Sequence, residues 1–187
     1  MYSEEALIKG CKKRDPEYQR AVFEKYYPVM LGLCLRYAKN QDQAKDMVQE
    51  GFIKVFDNIG KFRQASALQT WMNRIFINNA LNHLKQEITY SEISEREHPV
   101  VEDDVEDVIS EGLAPLSSEA VIHLMQQLPQ GYRVVLNLYA IEEYSHQQIA
   151  QELGISVGTS KSQLYKARQA LKALLKKQMP EREKCTS

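Results

Sequence analysis

A strongly acidic stretch divides this chain, and it limits the possible folds more than any other feature. Residues 91–118, SEISEREHPVVEDDVEDVISEGLAPLSS, carry nine acidic side chains and one basic one, Arg96. Clustered like charges repel each other, and Pro99, Gly112 and Pro115 interrupt any long regular element. Such a segment supplies no core, so the 187 residues are expected to fold on either side of it. The segment reads as a flexible linker, with room for a short helical turn near Val105–Ile109. Its composition serves equally a solvated tether and a strip that mimics nucleic acid or blocks a basic surface. Residues 1–90 carry 14 basic and 10 acidic groups, and residues 119–187 carry 9 basic and 6 acidic. The formal net charge of -1 therefore hides two mildly basic segments. Local fields govern binding faces, so a nucleic-acid partner stays open.

Other classes fall away quickly. No run of about 18 apolar residues exists, so no membrane insertion is expected. The opening MYSEEALIKG has glutamates where a signal peptide would carry positive charge. Cysteines at 11, 34 and 185 are too few and scattered for a disulfide framework or a zinc site. The expectation is a reduced, cytoplasmic protein.

Residues 3–87 carry helical periodicity almost throughout. Ala6, Leu7 and Ile8 begin a short helix. Asp15-Pro16-Glu17 is a start signal, with a capping carboxylate and then a proline where no amide is missed. One apolar run follows through Tyr18, Val22, Phe23, Tyr26 and Tyr27, and another from Met30 to Ala38. A third helix, Asp42 to Ile59, aligns Ala44, Met47, Val48, Phe52, Val55 and Phe56, with Gly60 at its end. A fourth runs from about Ala67 to Gln86. No alternating run asks for a strand, so this is an all-α domain of about four helices.

Two surfaces of that domain ask for more than packing. Asp46, Glu50 and Lys54 recur at i, i+4, i+8, with Gln49 and Asp57 nearby. They fit a solvated face with local ion pairs, or a docking face for a basic partner. The fourth helix is rich in asparagine, a mediocre helix former. Arg74, Asn78 and Asn82 share its face, with Phe62, Arg63 and Trp71 before them and Lys85 after. Amides can pair with base edges, cations with phosphate, and aromatics can stack on unpaired bases. Trp71 and Phe76 read as core before they read as base platforms. His83 reads as a lone, solvent-facing histidine.

Residues 119–178 are helical again: Glu119 to Leu128, a break at Pro129-Gln130-Gly131, then Tyr132 to Tyr139. The most specific pattern follows. Ser145 with Gln148 makes a capping box, and Ile149, Ala150 and Leu153 face inward. Gly154 can take positive φ, Ile155 plugs the corner, and Ser156 caps a last helix whose apolar face includes Val157, Leu164 and Ala167. This is a helix-turn-helix pattern. Its exposed face is expected to offer Thr159, Lys161, Ser162, Gln163 and Lys166, with Arg168 continuing the positive charge. These groups suit the major groove and its phosphates. His146 reads as a first-turn surface residue.

No catalytic constellation emerges, no cofactor is implied, and no metal cluster forms. The histidines, at 83, 98, 123 and 146, lie in separate elements. The chain is not read as an enzyme.

In order and spacing, these motifs resemble the extracytoplasmic-function (ECF) group of bacterial sigma-70-type sigma factors. Phe23-Glu24-Lys25-Tyr26-Tyr27 looks like that family's opening conserved region. Ala44 through Phe56 looks like its polymerase-docking segment, and Phe62-Arg63 through Lys85 like the segment that melts and reads the -10 element. Leu128-Pro129-Gln130-Gly131-Tyr132-Arg133 through Arg168 looks like its -35-binding domain. The resemblance implies an all-α protein of two small helical domains, 1–90 and 119–187, joined by the acidic linker 91–118. It implies docking on bacterial core RNA polymerase through Asp46, Gln49, Glu50 and Lys54. It implies -10 contacts from Phe62, Arg63, Trp71, Arg74, Asn78, Asn82 and Lys85, with Asn78 at the pocket for a flipped base. Promoter -35 contacts would come from Ser156, Thr159, Lys161, Ser162, Gln163, Lys166 and Arg168. An anti-sigma factor is a further implied partner. The chain departs from the family at Ser160, where a small apolar residue is common, and at Gln163, where arginine often stands. Ser160 is expected to loosen packing behind the last helix. The rival readings are a stand-alone helix-turn-helix regulator and a decoy that binds polymerase without melting DNA.

Overall fold

Side-chain caps fix where the chain begins to coil. In the computed structural model, which describes residues 2–87 and 116–178, the Ser3 hydroxyl accepts from the amide of Ala6 and opens α1 (Glu4–Lys12). Asp15 accepts from the amide of Glu17, and Pro16 takes the first position of α2 (Pro16–Tyr37), as the sequence predicts. Asn40 accepts from the amide of Gln43 at 2.9 Å and starts α3 (Gln41–Asn58). A 3-10 turn (Ile59–Lys61) and α4 (Leu68–Glu87) follow. Beyond them come α5 (Ser118–Gln126), α6 (Gln130–Ala140), α7 (His146–Leu153) and α8 (Val157–Gln178). The chain divides into two compact units, residues 1–84 and 85–187. The described residues of both are helical and contain no strand. The expected linker, its turn at Val105–Ile109 included, lies outside the described residues except for 116–118.

The first unit is threaded by one long helix where the sequence suggests two runs. Val22, Tyr26, Met30, Leu33, Cys34 and Tyr37 are buried along α2, and the stripe stays in phase across Pro28. An interior proline costs about 3 kcal/mol through its missing amide and its clash with the preceding turn. Burial of large apolar side chains at about 1.5–3 kcal/mol each offsets that cost. Pro28 itself lies on the exposed side.

Phe52 of α3 is the hub of this core. Its ring centroid is 4.7 Å from that of Phe23 and 5.3 Å from that of Phe76, which it meets edge-on. Gly51 allows the close approach of α4, since a Cβ there would lie 2.4 Å from the Phe76 ring.

In the second unit α8 packs on α5, α6 and α7. Its buried stripe is Ser160, Leu164, Ala167, Leu171 and Leu175, facing Val134, Val135 and Leu138 of α6 and Ile149 of α7. Val157, expected on the apolar face, is 39% exposed because it stands at the first position of α8, beyond the packed stripe. The α7–α8 connection follows the sequence pattern closely. Both halves of the Ser145–Gln148 capping box are formed, Gly154 adopts φ 68° and ψ 34°, and the Ser156 hydroxyl accepts from the amide of Thr159 at 2.9 Å.

Candidate functional site

The polar face of α3 is built differently from the expected row. Asp46, Gln49 and Glu50 are exposed. Lys54 leaves that row, because its ammonium donates to Oδ1 of Asn79 on α4. Asn79 is buried, and its amide nitrogen also donates to the carbonyl of Met47 at 2.9 Å. A buried amide must be satisfied, and Lys54 and the Met47 carbonyl do so. Nε2 of His83 lies 2.8 Å from a carboxylate oxygen of Glu50. His83 is therefore neither alone nor freely solvent-facing: its side chain is 25% exposed. Thus α4 is fastened to α3 by polar groups at Asn79 and His83, and by Phe76 against Gly51. No local pattern announces these pairs, because the partners are 25 to 33 residues apart.

On the other side of α4, Arg74, Asn78 and Asn82 are all exposed at helical spacing, as expected. Arg63 is exposed in the preceding loop. Phe62 differs from the expectation of an available ring. It is 4% exposed and its centroid is 5.0 Å from that of Trp71, so it supports the half-exposed indole from beneath. The Phe62 carbonyl accepts from the ammonium of Lys12 at 2.9 Å. The Lys85 side chain lies outside the described residues.

In the second unit Ser156 and Lys161 are exposed, and Thr159, Lys166 and Arg168 are half-buried. Ser162 and Gln163 contradict the expected exposed face, since each is only 2% exposed. The Ser162 hydroxyl folds back to donate to the carbonyl of Thr159, as short hydroxyl side chains do in helices. The Gln163 side chain lies beside Gly131 of α6, at a distance that would suit an ordinary van der Waals contact with a Cβ there.

Ser160 and His146 form a pair that neither residue announces. Ser160 is fully buried, and its hydroxyl lies 2.9 Å from Nδ1 of His146. The His146 ring stacks on Tyr139 at 4.7 Å, and the Arg168 guanidinium sits 5.7 Å from the same Tyr139 ring. His146 does stand in the first turn of α7, but it is half-buried there and packed between Tyr139 and Ser160. Ser160 has a specific partner where loosened packing was expected. Burial, with the positive charges of Lys161 and Arg168, holds the imidazole below its ordinary pKa.

Among the described residues no cluster of histidine, cysteine and acid could hold a metal ion. No described helix is long and apolar enough to cross a membrane.

Comparison with known proteins accounts for both units. Residues 22–88 match sigma-70 region 2, and residues 118–171 match sigma-70 region 4. The RNA polymerase sigma-H factor of Pseudomonas aeruginosa is 33% identical over 90% of this chain and 91% of its own. The ECF RNA polymerase sigma factor SigW of Bacillus subtilis is 30% identical over 90% and 95%. The chain belongs to the ECF group of sigma-70 factors. The ECF sigma-E factor of Haemophilus influenzae, 27% identical over 90% of this chain and 93% of its own, extends the likeness. As a sigma factor the protein directs RNA polymerase to promoters, and it is not an enzyme.

Proposed function

We propose that this sigma factor works as two weak readers carried by one polymerase. The first, residues 1–90, docks on the core enzyme through Asp46, Gln49 and Glu50. Lys54 acts there from within, by holding Asn79. Asn78 takes an unstacked base of the -10 element, with Arg63, Arg74, Asn82 and Lys85 on flanking bases and phosphates, and Trp71, propped by Phe62, as a stacking surface. One observation carries this reading. The exposed row Arg74–Asn78–Asn82 stands on a helix whose opposite side is bonded to the docking helix. Docking and base reading therefore share a rigid support.

The second reader, residues 119–187, is a helix-turn-helix whose α8 enters the -35 major groove. Ser156, Thr159 and Lys161 lie at the entering end, and Lys166 and Arg168 reach phosphate. Ser162 and Gln163 contribute by packing. The acidic segment 91–118 spans the two readers along the enzyme, and an anti-sigma factor holds the free protein. Tethering two weak contacts to one enzyme raises their effective concentration. The free chain is accordingly expected to bind duplex promoter DNA poorly in a mobility-shift assay.

The test is equilibrium binding of the full chain to bacterial core polymerase, with and without excess housekeeping sigma factor. Submicromolar, competable binding is expected. A folded protein that ignores its cognate core would overturn the docking assignment and leave a stand-alone DNA binder. Promoter-dependent run-off transcription that survives Asn78→Ala would leave a polymerase-binding decoy.

A further inference from the structure

We propose that the end of α1 and the loop after α3 form an additional phosphate-binding surface, which takes the sugar–phosphate backbone of promoter DNA beside the face of α4. This inference rests on the -10 reading of α4 given above. Lys9, Lys12 and Lys13 line an open depression of about 370 Å³, together with Glu5, Ile8 and Gln64. Arg14 continues the cluster from the turn into α2, and Lys61 and Arg63 belong to the loop that carries Gln64. The bond from the Lys12 ammonium to the Phe62 carbonyl joins these two chain segments across 50 residues.

Lys12 and Lys61 are bonded to the Phe62 carbonyl and to Oδ1 of Asn58, and Glu5 adds one negative charge to the lining, yet the surface keeps a clear positive excess. Among the described residues Lys9, Lys13, Arg14 and Arg63 are exposed and make no ion pair. Glu4 is turned elsewhere, accepting from the Leu68 amide and the Tyr26 hydroxyl, each at 3.2 Å. Asp15 is committed to the cap of α2. The helix dipole favours Lys9 and Lys12 in the last turn of α1. It gives no reason for Lys13 and Arg14 beyond that turn, or for Lys61 and Arg63 from another segment. Arg14 and Gln64 hold left-handed backbones, at φ 59° and 56°, which fix the rim. Several cations around a concave surface suit a run of phosphates, each releasing counterions on contact. The surface is tied to the proposed base-reading face through the buried Phe62, whose carbonyl holds Lys12 and whose ring meets Trp71 of α4.

The experiment uses holoenzyme made from the full chain, and a promoter duplex selected from a random library with the wild-type holoenzyme. The triple variant Lys9→Gln, Lys13→Gln, Arg14→Asn removes three charges, and asparagine tolerates the left-handed backbone. Lys12 is left intact because it bonds the loop. Affinity for the selected duplex is expected to fall about tenfold or more, with the slope of log affinity against log salt reduced by about two. Sequence preference and affinity for core polymerase are expected to stay as in the wild type. The companion Lys9→Arg, Lys13→Arg keeps the charge and is expected to keep the slope. An unchanged slope in the triple variant overturns the proposal. So does a loss of core affinity with the slope unchanged, which would make the surface a protein contact. Failure of the underlying reading shows elsewhere, as a wild-type holoenzyme with no sequence preference, or one indifferent to Asn78→Ala.

Discussion

The two units bury polar groups in opposite ways. Between α3 and α4, Asn79 is held by a main-chain carbonyl and an ammonium, beside a core of aromatic rings. Behind α8, Ser160 is held by His146, a group that titrates, beside a core of aliphatic side chains. The first arrangement braces α4 from the side opposite its exposed amides. The second places an ionisable ring against α8 itself. One family fold therefore gives α4 and α8 supports of different chemistry, and the difference can be tested from each side.

The largest effect is expected from Phe76→Ala. Emptying a fully buried ring site should cost about 3–5 kcal/mol. Segment-resolved hydrogen exchange on the full chain should show the loss in α1–α4. Equal loss in α6–α8 would break the picture of two separately packed cores. Asn79→Ala comes next at about 1–3 kcal/mol, because the Met47 carbonyl and Lys54 lose their buried partner. Thermal melting reads it, and an unchanged midpoint would show that water replaces the amide. Asn78→Ala sharpens the contrast from outside the same helix. Melting should be unaffected, while promoter-dependent run-off transcription falls roughly tenfold, the scale of one lost base contact.

The smallest expected effect is the pH response of the second unit. Its imidazole pKa is depressed on folding, so between the folded value and the unfolded value of about 6.5 the unfolded chain binds more protons. The contribution is fully present above about pH 6.5 and is lost as pH falls through the folded value. Exchange protection in α7 and α8 should thus decline on acidification, and His146→Gln should flatten that decline. If His146→Gln leaves the pH profile unaltered, the ring does not couple to the fold.

The parts legible in the sequence were those set by local chemistry. Asp15-Pro16, the Ser145–Gln148 box and Gly154 act within a few residues of themselves, and each stands where its pattern predicts. The all-helical character followed from periodicity. What escaped depends on neighbours far along the chain. The run through Tyr27 and the run from Met30 look separate until the stripe is seen to be buried on both sides of Pro28. Ser162 and Gln163 look like groove contacts by type, yet they are buried. His83 and His146 look isolated because Glu50 and Ser160 lie in other helices. The exposed row on α4 was legible in full, whereas its attachment to α3 was not.

The first unit also keeps two thiols out of reach. Cys11 and Cys34 are buried, and burial pushes their pKa values up to about 11 and about 12. Thiolate is the reactive species, so neither should respond to mild oxidants or alkylating agents in the folded protein. In a Cys185→Ser background their labelling becomes a clock. It runs only when α1 and α2 come apart, and so it measures how often this unit opens while the protein waits for a polymerase.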